Sequence, residues 1–276
     1  MTAADRVVSG IFDENGVRTF GFCRFADTLP LLPCRAASRV PEGARSVIVC
    51  LLGYWVGDVP RNVAAYAVPD DYHRVAKEIF APVLAGLGRA FPDGRFAFFA
   101  DNSPLREVYA AQLAGLGFAG KNGQLIRPGF GSRHFICEVV TDLELTPAEP
   151  LNMSCGSCRA CVEACPGGAL LPGGKIDLER CRSHITQKKG ELTPWQAESV
   201  RQGGLVWGCD ICTDACPYNR CPVKTDIPRF YEETTGILSE ENCEEMVSRK
   251  AFGWRGAKVL RRNLAILAGK RPGEPV

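Results

Sequence analysis

A chain of 276 residues has room for one large domain or roughly two ordinary ones, and 46% hydrophobic with 23% charged residues is a globular composition, not a disordered or fibrous one. A net charge of +2 with a pI near 7.9 excludes a global electrostatic pull toward nucleic acid or membrane, so any such partner must meet a local patch. No apolar run approaches the roughly 18 residues of a membrane span, and the opening MTAADRVVSGIFDENG has no apolar core of signal-peptide length. The expectation is a cytoplasmic protein with no membrane partner, in which fourteen cysteines signal metal or redox chemistry rather than disulfides.

In chain order, RSVIVCLLGYW (Arg45 to Trp55) predicts a buried strand, and Asp71 to Phe91 an amphipathic helix of 3.6-residue period. GRFAFFAD predicts a short buried strand that delivers Asp101 at its end, followed by a helix from Pro104, where proline suits the first turn. GLGFAGKNG breaks that helix, and two further strands follow near Gln124 to Arg127 and Phe135 to Thr141. Residues 1–150 thus read as one α/β domain, closed by the Pro/Glu-rich segment LTPAEPLN. Residues 151–225 are glycine-rich and loop-heavy, with too few apolar residues per element for a core of their own, so an inorganic group is expected to hold them together. Residues 226–276 predict two helices, SEENCEEMVSRKAF and RGAKVLRRNLAILAGK, the first opening on an acidic turn that suits the helix dipole. From Arg249 onward Arg249, Lys250, Arg255, Lys258, Arg261, Arg262, Lys270 and Arg271 stand against Glu274 alone. Such a run most often marks a solvated helix face, with contact to phosphates as the functional alternative. The overall class expected is α+β.

The chemistry concentrates in CGSCRACVEACPGG. Cys155, Cys158, Cys161 and Cys165-Pro166 match C-x2-C-x2-C-x3-C-P, the bacterial ferredoxin pattern in which the fourth cysteine serves the other of two clusters. A partner run, CDICTDACPYN, supplies Cys209, Cys212 and Cys216-Pro217, one cysteine short of a full run. The missing ligand is most simply Cys181, with Cys221 and Cys243 as substitutes. One 4Fe-4S cluster is then assigned to Cys155, Cys158, Cys161 and Cys216, and a second to Cys165, Cys181, Cys209 and Cys212. Zinc is the competing occupant of CxxC pairs, but three cysteines at two-residue intervals with two Cys-Pro ends fit isolated four-thiolate sites poorly. Cys50 and Cys137 read as small core hydrophobes, and Cys23 and Cys34 as structural or incidental. Asp101-Asn102-Ser103-Pro104 on its own reads as a helix cap, GKNG at Lys121 as a turn suited to a phosphate or corrin side chain, and His73, His134 and His184 as surface or satisfied core. Trp195, Trp207 and Trp254 are candidates for stacking on a base or for packing a core.

RVPEGARSVIV, YAVPDDYH, ADNSPLREVYAAQLAGLGFAGKNGQLI and GCDICTDACPYN together resemble the epoxyqueuosine reductase family, in order and spacing, from about Phe20 to Lys270. The resemblance implies a cobalamin-dependent enzyme with two 4Fe-4S clusters that removes the epoxide oxygen of epoxyqueuosine in tRNA, an α/β cobalamin-binding domain preceding a ferredoxin-like one. Reductive dehalogenases are similar in combining cobalamin with a two-cluster module. The cobalt-ligating DxHxxG string is absent, DYHRVA lacking its glycine, as in the family. The resemblance further implies Asp101 as proton donor and cobalamin contact, its pKa expected to be raised by desolvation. It implies Ser183 and Asp210 as cobalamin contacts, and Leu125 and Ile136 as contacts through the backbone. Family members continue into helical repeats that grip tRNA, whereas this chain is expected to hold only the start of the first. A monomer drawing on an external low-potential electron donor is expected. The alternatives are a cobalamin reductase for a small molecule and a non-catalytic electron carrier.

Overall fold

Thr2 and Asp5 close a capping box, the Thr2 hydroxyl accepting the Asp5 N–H and the Asp5 carboxylate the Thr2 N–H, and so launch α1 (Ala3–Glu14), which the sequence reading had missed. The fully buried Asp5 also accepts the N–H and hydroxyl of Thr146, at 3.0 and 2.7 Å. Burial alone raises its pKa, and these hydrogen bonds overrule burial to hold it at about 2. The computed structural model describes residues 1–269; Lys270, Arg271 and Glu274 of the basic end lie outside the described residues. The chain divides into two units, the first made of Met1–Gly53, His73–Gly120 and Gln124–Ser154, the second of Tyr54–Tyr72, Lys121–Gly123 and the chain from Cys155.

Unit 1 adds β1 (Phe20–Arg24), β2 (Ser46–Gly53), α2 (Tyr72–Ala90, His73 onward in this unit), β3 (Phe96–Ala100), α3 (Glu107–Leu113), β4 (Phe118–Ala119), β5 (Leu125–Ile126) and β6 (His134–Thr141). The main sheet runs β1-β2-β6-β3 with every pairing antiparallel. The α+β class expected for the whole chain holds, and the sheet of the first domain is antiparallel throughout. β5 and β6 do not pair with each other: β5 pairs with β4 as a separate ribbon. Successive residues of β3 take opposite faces. Phe98 stacks on Phe80 of α2 with ring centroids 4.5 Å apart, whereas Phe99 joins Val47, Val49, Leu51, Leu105, Ala110 and Ala114 in the core under α3. That face is tight at Gly21, where a Cβ would stand 2.1 Å from the Ala114 carbonyl oxygen.

Unit 2 carries short helices: α4 (Ala160–Ala164), α5 (Arg182–Gln187), α6 (Pro194–Gly203), α7 (Ile211–Asp214), α8 (Arg229–Glu232), α9 (Cys243–Val247) and α10 (Ala257–Leu267). Ile185, Leu192, Ala197, Val200 and Ile266 form one apolar cluster, so α10 shares a core with α5 and α6. The expected separate 226–276 tail and coreless 151–225 segment are in this respect one body, which also takes in Tyr54–Tyr72. Trp207 is fully buried and donates to the Tyr66 hydroxyl at 2.6 Å, a core residue and not a stacking platform. α9 is shorter than SEENCEEMVSRKAF predicts. Lys250 turns inward, its buried ammonium donating to the carbonyls of Val68, Pro69 and Glu233, and the chain leaves the helix to place it there.

Two glycine substitutions separate fit from propensity. Gly21→Ala is expected to lose about 1 to 3 kcal/mol through overpacking against backbone. Gly10→Ala, in α1 with nothing within 4 Å of the added methyl, is expected to gain up to about 1 kcal/mol. Urea midpoints of the anaerobic protein measure both; a neutral Gly21→Ala would contradict the packing described.

Candidate functional site

In unit 2 the sequence-selected cysteines fall into two neighbourhoods. Burial raises Cys161, on α4, with Cys155 and Cys216 adding to the shift, and it raises Cys216, with Cys155 and Cys158 adding. Burial pushes Cys212 up to about 12, with Cys209, Cys181, Cys165 and Cys161 adding. Burial likewise raises Cys209, where Asp210 and Cys181 add while the Ile211 N–H and the Arg182 guanidinium oppose. Cys155, Cys158, Cys161 and Cys216 thus keep company, as do Cys165, Cys181, Cys209 and Cys212, with Cys161 acting on both sets. All are free thiols. Of the two substitutes for Cys181, Cys221 is exposed and Cys243 is buried on α9, directed at the Glu240 carbonyl. Among the described residues no three His, Cys, Asp or Glu side chains converge tightly enough for one ion. Thiolates bound to separate corners of a cube stand wider apart than the ligands of one tetrahedral zinc.

Residues that sequence reasoning assigned elsewhere support this array. The Lys121 ammonium donates to the carbonyls of Gly156 and Cys158, both at 2.8 Å, and the Asn122 amide reaches the Cys212 carbonyl at 3.4 Å. The GKNG turn therefore braces both cysteine runs, and its lysine is committed to backbone carbonyls rather than to a phosphate. Arg182 is buried beside Cys181 and donates to the Ser199 hydroxyl at 3.4 Å; its sequence signal was only adjacency to a cysteine. Asp210 is buried, one carboxylate oxygen accepting the Ala65 N–H at 2.8 Å and the Arg61 guanidinium at 3.1 Å. Ser183, on α5, accepts from the Gln187 amide at 3.4 Å.

The proposed phosphate contacts narrow in the same way. Arg262 donates to the Lys188 and Gly190 carbonyls at 2.5 and 2.7 Å, Arg261 pairs with Glu244 at 2.7 Å and Arg249 with Glu245 at 3.3 Å, and Lys250 is buried. Arg255 and Lys258 line a cavity of about 520 Å³ with Lys189, Leu192 and Ile266. The Arg255 guanidinium lies 3.8 Å from the ring centroid of Trp254, an exposed aromatic, as is Trp195.

In unit 1, Asp101 follows β3 on a strained turn. Asp101 and Asn102 hold φ of 57° and 46° in succession, a left-handed pair costing roughly 1 to 2 kcal/mol per residue. The Ser103 hydroxyl then accepts the Leu105 N–H at 3.1 Å, which is why α3 begins at Glu107 and not at Pro104. The Asp101 side chain is 58% exposed, so the desolvation expected for it is not supplied by the surrounding protein. It meets instead His73 Nε2, 3.2 Å from Asp101 Oδ2, a contact the sequence did not announce. Glu107 is pushed up to about 7 by burial, with the Asp101 carboxylate adding, and the Asp101 N–H and His73 opposing.

Leu125 lies in β5 opposite Ala119. Ile136 lies opposite Leu51 in β2, beyond the end of the β3 ladder, which stops at Ala100 opposite Cys137. At the same end of β6, His134 Nε2 is buried with no protein hydrogen-bond partner. Burial, aided by Arg127, holds this imidazole down at about 4, favouring its neutral form; the expectation was a surface or satisfied core histidine.

Residues 154–219 match a family model described as a 4Fe-4S double cluster binding domain. The chain is 34% identical over 237 residues to the epoxyqueuosine reductase of Synechocystis, covering 80% of this chain and 82% of that one. It is 32% identical to that of Lactococcus garvieae, covering 72% of this chain and 59% of the other, so it spans little more than half the length of that relative. Among solved structures, epoxyqueuosine reductase from Streptococcus thermophilus aligns with TM-score 0.81 at 25% identity, covering 94% of this chain and 79% of that one. An epoxyqueuosine reductase bound to a tRNA-Tyr epoxyqueuosine-modified stem loop aligns with TM-score 0.81 at 24% identity, covering 96% and 80%. A B12-dependent reductive dehalogenase shares the fold at TM-score 0.50 and 19% identity, covering 95% and 35%. Among the described residues no helix is long and apolar enough to cross a membrane.

Thiol reactivity in the cluster-free protein should follow the burial order. Exposed Cys158 should alkylate first, and Cys212, with its thiolate suppressed at neutral pH, among the last. Peptide mass spectrometry over a time course reads this order, and equal rates would contradict it.

Proposed function

The chain belongs to the epoxyqueuosine reductase family, and we propose that it performs the reaction that name describes. The epoxide oxygen of epoxyqueuosine in tRNA is removed with two electrons and two protons, leaving queuosine and water. What supports this reading is the gathering of eight thiols within one small unit, with Cys155 acting on both Cys161 and Cys216, Cys181 on both Cys209 and Cys212, and Cys165 on Cys212. Cys155, Cys158, Cys161 and Cys216 hold one 4Fe-4S cluster, and Cys165, Cys181, Cys209 and Cys212 the other. In unit 1 the backbones of Leu125 and Ile136 would contact cobalamin; Ser183 and Asp210, in unit 2, keep the cofactor role that the family resemblance implies for each. The one-sided ladder at Ile136 and the unpartnered His134 nitrogen support this assignment, since both leave polar groups for the amides around a corrin ring. When bound, the clusters and cobalamin supply the electrons, drawn from an external low-potential donor, and the bond chemistry at carbon.

The protein's own task is then proton delivery and grip. Asp101 is the proton donor, presented on the turn after β3 with His73 orienting its carboxyl. Glu107, accepting the Asp101 N–H from below, keeps that turn in its strained form. On the nucleic-acid side, Arg255, Lys258 and Lys189 are the cations placed to meet phosphates, whereas Arg249, Lys250, Arg261 and Arg262 are engaged within the protein.

The deciding experiment is anaerobic turnover of epoxyqueuosine-containing tRNA followed by nucleoside mass spectrometry; no queuosine from fully loaded protein would refute the reading and favour a small-molecule substrate. Asp101→Asn should retain the visible spectrum and lose at least about a hundredfold in rate. Cys181→Ala should drop iron from about eight to about four per chain, and an unchanged count would move the eighth ligand to Cys221 or Cys243. Lys258→Ala should weaken tRNA binding evenly across sequences and lower the salt slope by about one.

A further inference from the structure

Removing an epoxide oxygen as water consumes two protons at one atom, and a single carboxylic acid holds one. If Asp101 is the donor, as proposed above, something must reload it within the turnover. Exposed to solvent, Asp101 can take up a proton from water, but the structure holds a nearer source.

Glu138 lies in the middle of β6, opposite Val49 on one side and Phe99 on the other, fully buried, with neither carboxylate oxygen hydrogen-bonded. A buried carboxyl without a partner is costly in its charged form. Its neighbours make it costlier: burial raises it to about 8 with Glu107 adding, while the nearby Ser103 hydroxyl, outside hydrogen-bond geometry with either oxygen, opposes in part. Cys23 on β1 shares its face of the sheet, and Cys50 on β2 and Cys137 on β6, on the opposite face, also feel its charge; burial raises the pKa of all three. Glu107, in turn, is within the field of Asp101 and His73, accepts the Asp101 N–H, and leaves Oε1 buried and unpaired. The Glu107 charge raises Glu138, and two buried carboxyls coupled in this way titrate as a pair. Near neutral pH the pair keeps one proton and carries one negative charge.

We propose that Glu107 and Glu138 are positioning residues that store one proton behind the Asp101 turn and return it to Asp101 between the two protonations of a turnover. The first step leaves Asp101 as carboxylate and the substrate oxygen with one hydrogen. His73, in contact with Asp101 and within the field of Glu107, then takes the stored proton from the pair and passes it to the Asp101 carboxylate. The pair is left with two charges in a buried site, and it recovers a proton from solvent. Asp101 gives its second proton, and the oxygen departs as water. No electron moves in this relay.

The test has two arms on the full chain. The infrared spectrum of the wild type should show a protonated buried carboxyl at neutral pH that disappears as pH rises through about 8 and is missing from the Glu107→Gln, Glu138→Gln double variant. No such band, or a band surviving both substitutions, overturns the proposal without reference to cofactor or substrate. In anaerobic single turnover, Glu138→Gln should slow queuosine formation at least tenfold and shift the alkaline fall in rate to lower pH, with spectrum and tRNA affinity unchanged. Wild-type rate and pH profile in Glu138→Gln, alongside an inactive Asp101→Asn, would sink the store alone. Full activity in Asp101→Asn would sink the donor assignment and the reloading step with it.

Discussion

Crowding eight thiols into one shell of short loops is unfavourable until something binds them. α4, α5 and α7 are five, six and four residues long, too short to persist without tertiary support, and the apolar cluster of unit 2 lies on α5, α6 and α10 rather than under the two cysteine runs. Burial and mutual repulsion keep Cys161, Cys209, Cys212 and Cys216 protonated. Iron binding displaces those protons and turns repulsion into bonds, so cluster assembly and the final folding of this segment are one equilibrium. The bracing by Lys121 and Asn122 follows from that constraint. A carbonyl held by an ammonium keeps its loop in the shape that presents thiolates, and Arg182 offsets part of the negative charge that two loaded clusters bring.

Unit 1 solves a different electrostatic problem with the opposite tactic. Its carboxyls are not neutralised by cations but placed so that one proton must stay among them. Glu138 is enclosed by strands on both sides of β6, Glu107 by α3 and the turn above it, and the strain of two left-handed residues at Asp101 and Asn102 persists because the Glu107 carboxyl, the Ser103 hydroxyl and His73 act on that turn. An exposed acid would titrate like a model carboxylate if it stood alone. In the proposed relay the buried pair behind it carries the proton affinity, so Asp101 itself need not be buried.

How much of this was legible follows the periodicity of each signal. Cysteine spacing is local and discrete, so the two runs and the lone Cys181 could be read directly, and the amphipathic α2 was found to within a residue at each end. The sheet order was not legible, because β5 and β6 have the same apolar look whether they pair with each other or, as here, with β4 and with β2 and β3. α1 was overlooked although Val7, Val8, Ile11 and Phe12 recur at helical spacing and Thr2 with Asp5 offers a capping box; both signals are short and sit at the chain start. The exposure of Asp101 was misjudged for a related reason: a residue ending an apolar strand inherits that strand's burial only if the chain continues straight, and the left-handed turn carries it outward. Glu138 sits between Cys137 and Val139 in an otherwise largely apolar strand, and nothing in a one-dimensional pattern separates a surface glutamate from one sealed in a sheet.

The basic end shows the same limit from the side of charge. Six described cations in 249–262 look like one patch in sequence, yet Lys250 caps three carbonyls, Arg262 holds the 186–190 loop, and Arg249 and Arg261 meet glutamates of α9. A cation engaged with buried carbonyls cannot be withdrawn to meet a phosphate without leaving those carbonyls unsatisfied, at about 1 to 3 kcal/mol each. Among the described residues of this end, Arg255 and Lys258, with Lys189, line a cavity with apolar walls. Three phosphate contacts give weak, salt-sensitive binding on their own. Contacts to phosphate carry no base identity, so under the proposed function discrimination of the modified base is left to other residues.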